Sequence, residues 1–218
     1  MSRTITVKGT GSVSLTPDLT VVTMTLDTVD KNYDRAMERS AALLDGLREA
    51  LAAVGFDKKD LKTSNFNVCT RYEGRQDSKG NYKEVFVGYA CVHGLKLEFD
   101  FDTKRLSAAL SAIAGCVAEP SLNVRFTVRD RDGAADALLQ SAAENARHKA
   151  EVLAAASGVK LGELLSVNYS WGELNVYSGT DYAMERKCMP LMTGCAAMDF
   201  EPEDIDLNDT ATFVWEIA

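Results

Sequence analysis

The chain has 218 residues, 46% hydrophobic and 26% charged, ordinary values for a soluble globular protein and enough length to bury a core without disulfide or metal staples. Lys+Arg 24 against Asp+Glu 32 leaves a net charge of −8, a surface without the clustered cations that displace counterions from a phosphate backbone, so no DNA or RNA partner is expected. No apolar run is long enough for a signal peptide or a membrane span, and the five cysteines, Cys69, Cys91, Cys116, Cys188 and Cys195, form an odd set without close pairing; the expectation is a cytoplasmic protein with free thiols.

In chain order, residues 4–15 read as short β segments broken at Gly9 and Gly11, and Pro17-Asp18 turns the chain into a longer strand through Leu19, Val21, Val22, Met24 and Leu26. The Gly-Thr-Gly is not followed by a helix, as a phosphate cradle requires, so a bulge or tight bend is the reading. A first helix capped between Asp30 and Asn32 places Ala36, Ser40, Leu43, Leu44, Leu47, Leu51 and Val54 on one side and stops at Gly55. In the next strand Phe66, Val68 and Tyr72 alternate with Asn65, Asn67 and Arg71. A polar turn over 74–80 leads to a long return strand, 84–101, with Val85, Val87, Tyr89, Cys91, Leu95, Leu97 and Phe99 on one face. Phe86, Ala90 and Val92 make the first half of its other face apolar too, so that half should be covered on both sides.

A short helix over 103–114, capped by Asp102, buries Leu106, Ala109, Leu110 and Ile113 and ends at Gly115. After Pro120, the residues Leu122, Val124, Phe126 and Val128 alternate with polar neighbours as a strand. A long helix follows over 134–157, its inward positions read as Ala135, Leu139, Ala142, Ala146, Ala150 and Leu153. Small side chains on that stripe let the helix press closely on a sheet. Gly158 ends it before a strand over 164–171, residues 172–210 read as an irregular loop, and Ala211, Phe213, Trp215 and Ile217 form a final strand.

A shift of 103 positions pairs Leu43 with Ala146, Gly55 with Gly158, Leu61 with Leu164 and Phe66 with Tyr169, which predicts an approximate internal repeat of two β-α-β units, about 18–72 and 121–171. The expected architecture is a single α+β domain over 1–218. It has a mixed, largely antiparallel sheet or sheets, with two long helices and one short helix packed on one side, and the strand and short helix of 84–115 join the two units.

The chemistry-bearing residues do not converge. His93 sits in an apolar row and His148 on the long helix, and two histidines without a carboxylate cluster make no metal site. Lys149 lies at the edge of the alanine stripe, where its stem covers apolar surface while the amine reaches water. The acidic run Glu201, Glu203, Asp204 and Asp206 lacks the glycine and closing glutamate of a calcium loop and reads as a solvated face. No catalytic residue, cofactor or metal ligand is assigned.

The order and spacing of several short motifs resemble the SIMPL-domain family, which includes bacterial periplasmic immunogenic proteins. These are Ile5-Thr-Val-Lys-Gly-Thr-Gly-Ser-Val-Ser-Leu-Thr-Pro-Asp18, Gly55-Phe-Asp-Lys-Lys-Asp-Leu-Lys-Thr63, Gly88-Tyr89, and Ala146-Arg-His-Lys-Ala-Glu-Val-Leu-Ala154 with Gly158 and Leu161-Gly162 behind it. The resemblance covers nearly the whole chain. It implies an α+β fold and, for some members, ring-like homo-oligomers linked to stress tolerance or surface antigenicity, and it implies no reaction. This chain departs from many bacterial members in showing no export signal and in having five cysteines.

Two functional readings follow. The first is a non-enzymatic, self-assembling protein whose subunit contact is made by the long hairpin or the loop after residue 171. The alternative is a small-molecule binder or enzyme with a cleft under the loop 172–205, using Cys188 or Cys195 as a thiol. Against the alternative, no nucleophile, base and orienter are placed together by the sequence.

Overall fold

The computed structural model describes residues 3–76, 80–170, 174–184 and 201–218. Its elements in chain order are β1 (Thr4–Leu15), β2 (Leu19–Asp30), α1 (Tyr33–Ala53), β3 (Leu61–Gln76), β4 (Tyr82–Asp100), α2 (Thr103–Ala114), β5 (Ser121–Thr127), α3 (Arg131–Ala156), β6 (Leu161–Asn168), β7 (Tyr177–Met184) and β8 (Ile205–Ile217). They form two sheets, of order β1-β8-β6 and β3-β4-β2-β5-β7. The chain divides into two compact units, one of Met1–Asp18, Thr127–Gly179 and Pro202–Ala218, the other of Leu19–Phe126 and Thr180–Glu201. This is the α+β class the alternating patterns predict, with the antiparallel pairing expected.

In the first unit β1 pairs with β8 without a slip from Thr4↔Glu216 to Leu15↔Ile205. Pleating sends alternate side chains to one face, and the inward row of β1 is Ile5, Val7, Gly9, Gly11, Val13 and Leu15, with Val7, Gly9 and Gly11 buried. The strand is thus continuous, and the two glycines neither break nor bulge it. They form a notch. A Cβ on Gly9 would lie 2.1 Å from the carbonyl oxygen of Ala142 and 2.7 Å from the Cβ of Ala146, and one on Gly11 2.1 Å from the carbonyl oxygen of Leu138. Helix backbone occupies the space that side chains would take.

The residues of α3 that meet this notch recur every four positions: Ala134, Leu138, Ala142, Ala146, Ala150 and Ala154 are buried. The sequence reading placed Ala135, Leu139 and Leu153 inward; Ala135 and Leu139 are half-buried, and Leu153 is 49% exposed while its neighbour Ala154 is buried. The cause is the strict four-residue spacing, an i±4 ridge that winds slowly around the helix and so selects a different set of small residues at each end. The helix starts at Arg131, earlier than the apolar stripe suggests, because the Asp130 carboxylate accepts from the Gly133 N–H at 2.8 Å. It ends at Gly158, whose φ of +71° suits glycine.

Two strands run where the irregular loop 172–210 was expected, β7 and the first half of β8. Glycine, aspartate and single hydrophobics masked β7, and the acidic residues masked the alternation in which Ile205 and Leu207 are buried while Asp206 is exposed. Strand β6 starts at Leu161 rather than 164, since Lys160 already exchanges backbone hydrogen bonds with Ala218 at 2.8 and 3.1 Å.

In the second unit β4 lies between β2 and β3, antiparallel to both. Helix α1 is capped by Asn32, whose side chain accepts from Arg35 N–H at 3.1 Å, and α2 by Asp102, which accepts from Arg105 N–H at 2.8 Å. Leu47 and Leu51 of α1, with Leu106, Ala109 and Ile113 of α2, share one core with Val22, Met24, Leu95, Leu97 and Phe126 of the sheet. The Arg105 guanidinium lies over the Phe56 ring at 4.5 Å and also faces Phe99, closing the rim of that core with its charge exposed. The proposed repeat is not matched in connectivity: β2 and β3, which flank α1, share one sheet, whereas β5 and β6, which flank α3, belong to different sheets.

Replacing Gly9 by Ala is expected to destabilise the protein by roughly 3 kcal/mol, the upper end of overpacking costs, because the obstructing atoms are backbone. Gly46→Ala on α1, where a Cβ meets nothing within 4 Å, should instead gain about 0.5–1 kcal/mol. Urea unfolding midpoints of the two variants at equal slope test both signs.

Candidate functional site

An exposed apolar surface of the second unit lies at the far end of the β3–β4 hairpin. Strand β2 supports β4 only as far as the pair Asp30↔Tyr89, so Tyr82–Gly88 pair with β3 alone and project as a two-stranded ribbon. A regular ribbon would send Phe86 to the face opposite Tyr89. Here β4 carries an extra residue, Val87, between the pairs Arg71↔Gly88 and Tyr72↔Phe86. The bulge turns Phe86 onto the same face as Tyr89, so Phe86 changes sides relative to the alternation read from sequence while Val85 stays opposite it. The result is a file of four rings, Tyr33, Tyr89, Phe86 and Tyr72, each edge-on to the next at 5.6, 5.6 and 5.7 Å. Tyr72 and Phe86 remain 53% and 40% exposed.

On the other face Arg71 donates two hydrogen bonds to the Asp27 carboxylate at 2.9 and 3.1 Å, a fork that reaches over β4 and ties β3 to β2. The bonds to Asp27 hold the Arg71 pKa above its ordinary value. Behind the ribbon, both Ala90 and Cys91 are fully buried and Val92 is half-buried, so the inner half of the segment 85–92 is covered within the chain and only its outer half is open.

The residues singled out by chemistry are scattered. His93 is buried, with its Nε2 2.9 Å from the Thr63 hydroxyl and its ring 5.0 Å from Phe66, and burial, aided by the charge of Arg48, lowers its pKa. It is a core residue with a partner. His148 is exposed on α3. Lys149 donates to the Lys8 carbonyl at 3.2 Å, a structural contact on β1. In the acidic run, Glu201, Glu203, Asp204 and Asp206 are exposed, and Asp206 accepts from the Ser14 hydroxyl at 2.7 Å. Cys69 is exposed, Cys91 buried and Cys116 half-buried; all three are free thiols. Cys188, Cys195 and the cleft proposed beside them lie outside the described residues.

The first unit carries an open groove of about 420 Å³ lined by residues of α3, β6 and β8, with Phe213 and Trp215 stacked at its floor. Its two charged side chains, Arg147 and Glu151, bond each other at 3.0 Å, and no nucleophile accompanies them. Among the described residues no three His, Cys, Asp or Glu side chains gather as a metal site, and no helix is long and apolar enough to cross a membrane.

These features define an α+β protein of two antiparallel sheets, one of which extends a strand pair with exposed aromatic side chains. The chain belongs to the SIMPL family, described as a protein of unknown function (DUF541), whose sequence model matches residues 5–215. It is also 25% identical over 223 residues to the uncharacterized protein YggE of Edwardsiella ictaluri (strain 93-146), an overlap of 98% of this chain and 87% of that protein. The family read from the short motifs is thus the family shown.

The direction of the His93 shift sets a pH dependence. The unfolded chain takes up a proton near the ordinary value of 6.5, while the folded chain resists until lower pH, so the stability tied to neutral His93 is complete above 6.5 and is lost as pH falls below it. Melting temperatures measured downward from pH 7 should fall more steeply for the unmodified protein than for His93→Gln. Thiol titration should modify Cys69 in the native protein and Cys91 only after unfolding, because Cys91 has no exposure and burial raises its pKa.

Proposed function

We propose that this protein is a non-enzymatic, self-assembling protein in which the projecting β3–β4 hairpin makes the subunit contact, acting in a reducing compartment and in a stress-related setting such as the family resemblance implies. The observation that carries the reading is the open apolar end of the hairpin. Tyr72, Tyr82, Val85 and Phe86 are all at least 40% exposed on one ribbon, and three of them are large side chains of the kind that anchor interfaces. A catalytic reading has no comparable support among the described residues, where the groove charges satisfy each other and the histidines stand apart.

Light scattering at micromolar concentration should give a mass of at least two chains. Phe86→Lys, which must keep its ammonium wet, should lower that mass while leaving the circular dichroism of the folded chain unchanged, since the side chain lies outside the buried core. A monomer for the unmodified protein overturns the proposal.

A further inference from the structure

We propose that two copies of this chain join edge to edge along β3, antiparallel about a two-fold axis at Cys69, so that their five-stranded sheets become one; the inference rests on the assembly reading above and specifies its contact.

Three observations carry it. The first is that this edge is long and, among the described residues, uncovered. β3 spans sixteen residues at the end of its sheet, with Val68 and Arg71 half-buried and everything else beyond Leu61 exposed. Its pairing with β4 skips Ser64, but β3 itself runs without an inserted residue from Asn65 to Gln76. Proteins commonly blunt such an edge with proline, lysine, a bulge or a covering element. The stretch Asn65-Phe-Asn-Val-Cys-Thr70 contains no proline, glycine or charge.

The second observation is that another edge of the molecule is treated differently. Along β1 the helix α3 supplies partners to three successive outward-facing backbone positions: Asn145 accepts from Thr10 N–H, Ser141 bonds both backbone groups of Ser12, and Lys149 donates to the Lys8 carbonyl. The edge strand β6 is only eight residues long. Among the described residues, the sixteen-residue β3 is neither so short nor given such helix partners.

The third is self-complementarity. Directly opposite residues of an antiparallel pair share a face, and an axis at Cys69 pairs residues whose numbers sum to twice its own. Phe66 then faces the partner's Tyr72, and Val68 the partner's Thr70. On the other face Asn67 meets the partner's Arg71, and Asn65 the partner's Glu73. Both exposed aromatics of the strand find an aromatic, and no like charges meet. An axis at Arg71 or Glu73 sets identical charges against each other, and an axis at Thr70 leaves Phe66 opposite Gly74. Among these registers the axis at Cys69 is the compatible one.

That register also makes the test direct. Opposite residues in an antiparallel ladder have Cα atoms about 4.5–5.5 Å apart, within the roughly 4.4–6.8 Å that a disulfide spans. Native protein is treated with diamide, which takes up the two electrons and two protons released as two thiols become one disulfide, and the linked peptides are mapped by mass spectrometry. The expected product is a Cys69–Cys69 dimer formed at micromolar protein. In parallel, Cys69→Lys sets two ammonium groups at the axis and should weaken association roughly tenfold or more, with the circular dichroism of the folded chain unchanged because the side chain is exposed. An assembly that persists unaltered in Cys69→Lys and yields no Cys69–Cys69 peptide overturns the β3 contact while leaving self-assembly standing. A monomeric unmodified protein overturns both.

Discussion

The contact of α3 with the notch of β1 is the constraint on which the first unit depends. Gly9 and Gly11 bring strand backbone and helix backbone within the reach of a missing Cβ, which is possible only because Ala142 and Ala146 are also small. Once the two are that close, side chains flanking the alanine ridge reach the strand's free edge. Four helical residues advance about 6.0 Å, and two strand residues about 6.6–6.8 Å. Ser141, Asn145 and Lys149, spaced four apart, therefore address Ser12, Thr10 and Lys8, spaced two apart. The helix serves as the neighbour that β1 lacks, and the unit needs no further strand on that side.

Much of this was legible in the sequence, though in pieces. Caps at Asn32 and Asp102, stops at Gly55 and Gly158, and the alternation in β5 and β8 are local signals whose causes lie within a few residues. The Gly-Thr-Gly was misread because its reason sits on a helix more than a hundred residues away, and nothing local separates a glycine that bends a strand from one that admits a backbone. The alanine stripe was recognised, but its phase at the helix ends was not, because a four-residue ridge and an averaged helical period agree only over a turn or two. No reacting site was legible in the sequence. What the sequence did carry was the two-sided apolarity of 85–92, though not the bulge at Val87 that gathers Phe86 and Tyr89 on one face.

The family assignment fits this distribution of signal. Several of the motifs that carry it are turn, notch and helix residues: Gly9 and Gly11, Pro17-Asp18, Gly55, Gly158 and the stretch Ala146–Ala154. Each is explained by packing or by a turn, with no reacting group required. They specify how the sheets and helices close.

The hairpin is harder to explain by packing alone. An isolated two-stranded ribbon is at best marginally stable in water, and beyond Tyr89 the β3–β4 pair has no third strand. Two devices within the chain compensate. The Arg71–Asp27 fork ties the base of the ribbon to β2 from one face, and the ring file from Tyr33 to Tyr72 extends the helix-covered core outward along the other. Both devices stiffen the ribbon, yet neither covers it: half of Tyr72 and two fifths of Phe86 still face water. A ribbon needed only to connect two strands is served by a short turn near Tyr89, without exposed aromatics. Extending it past its support and then bracing it makes physical sense when the extension is held in place for a second surface to meet.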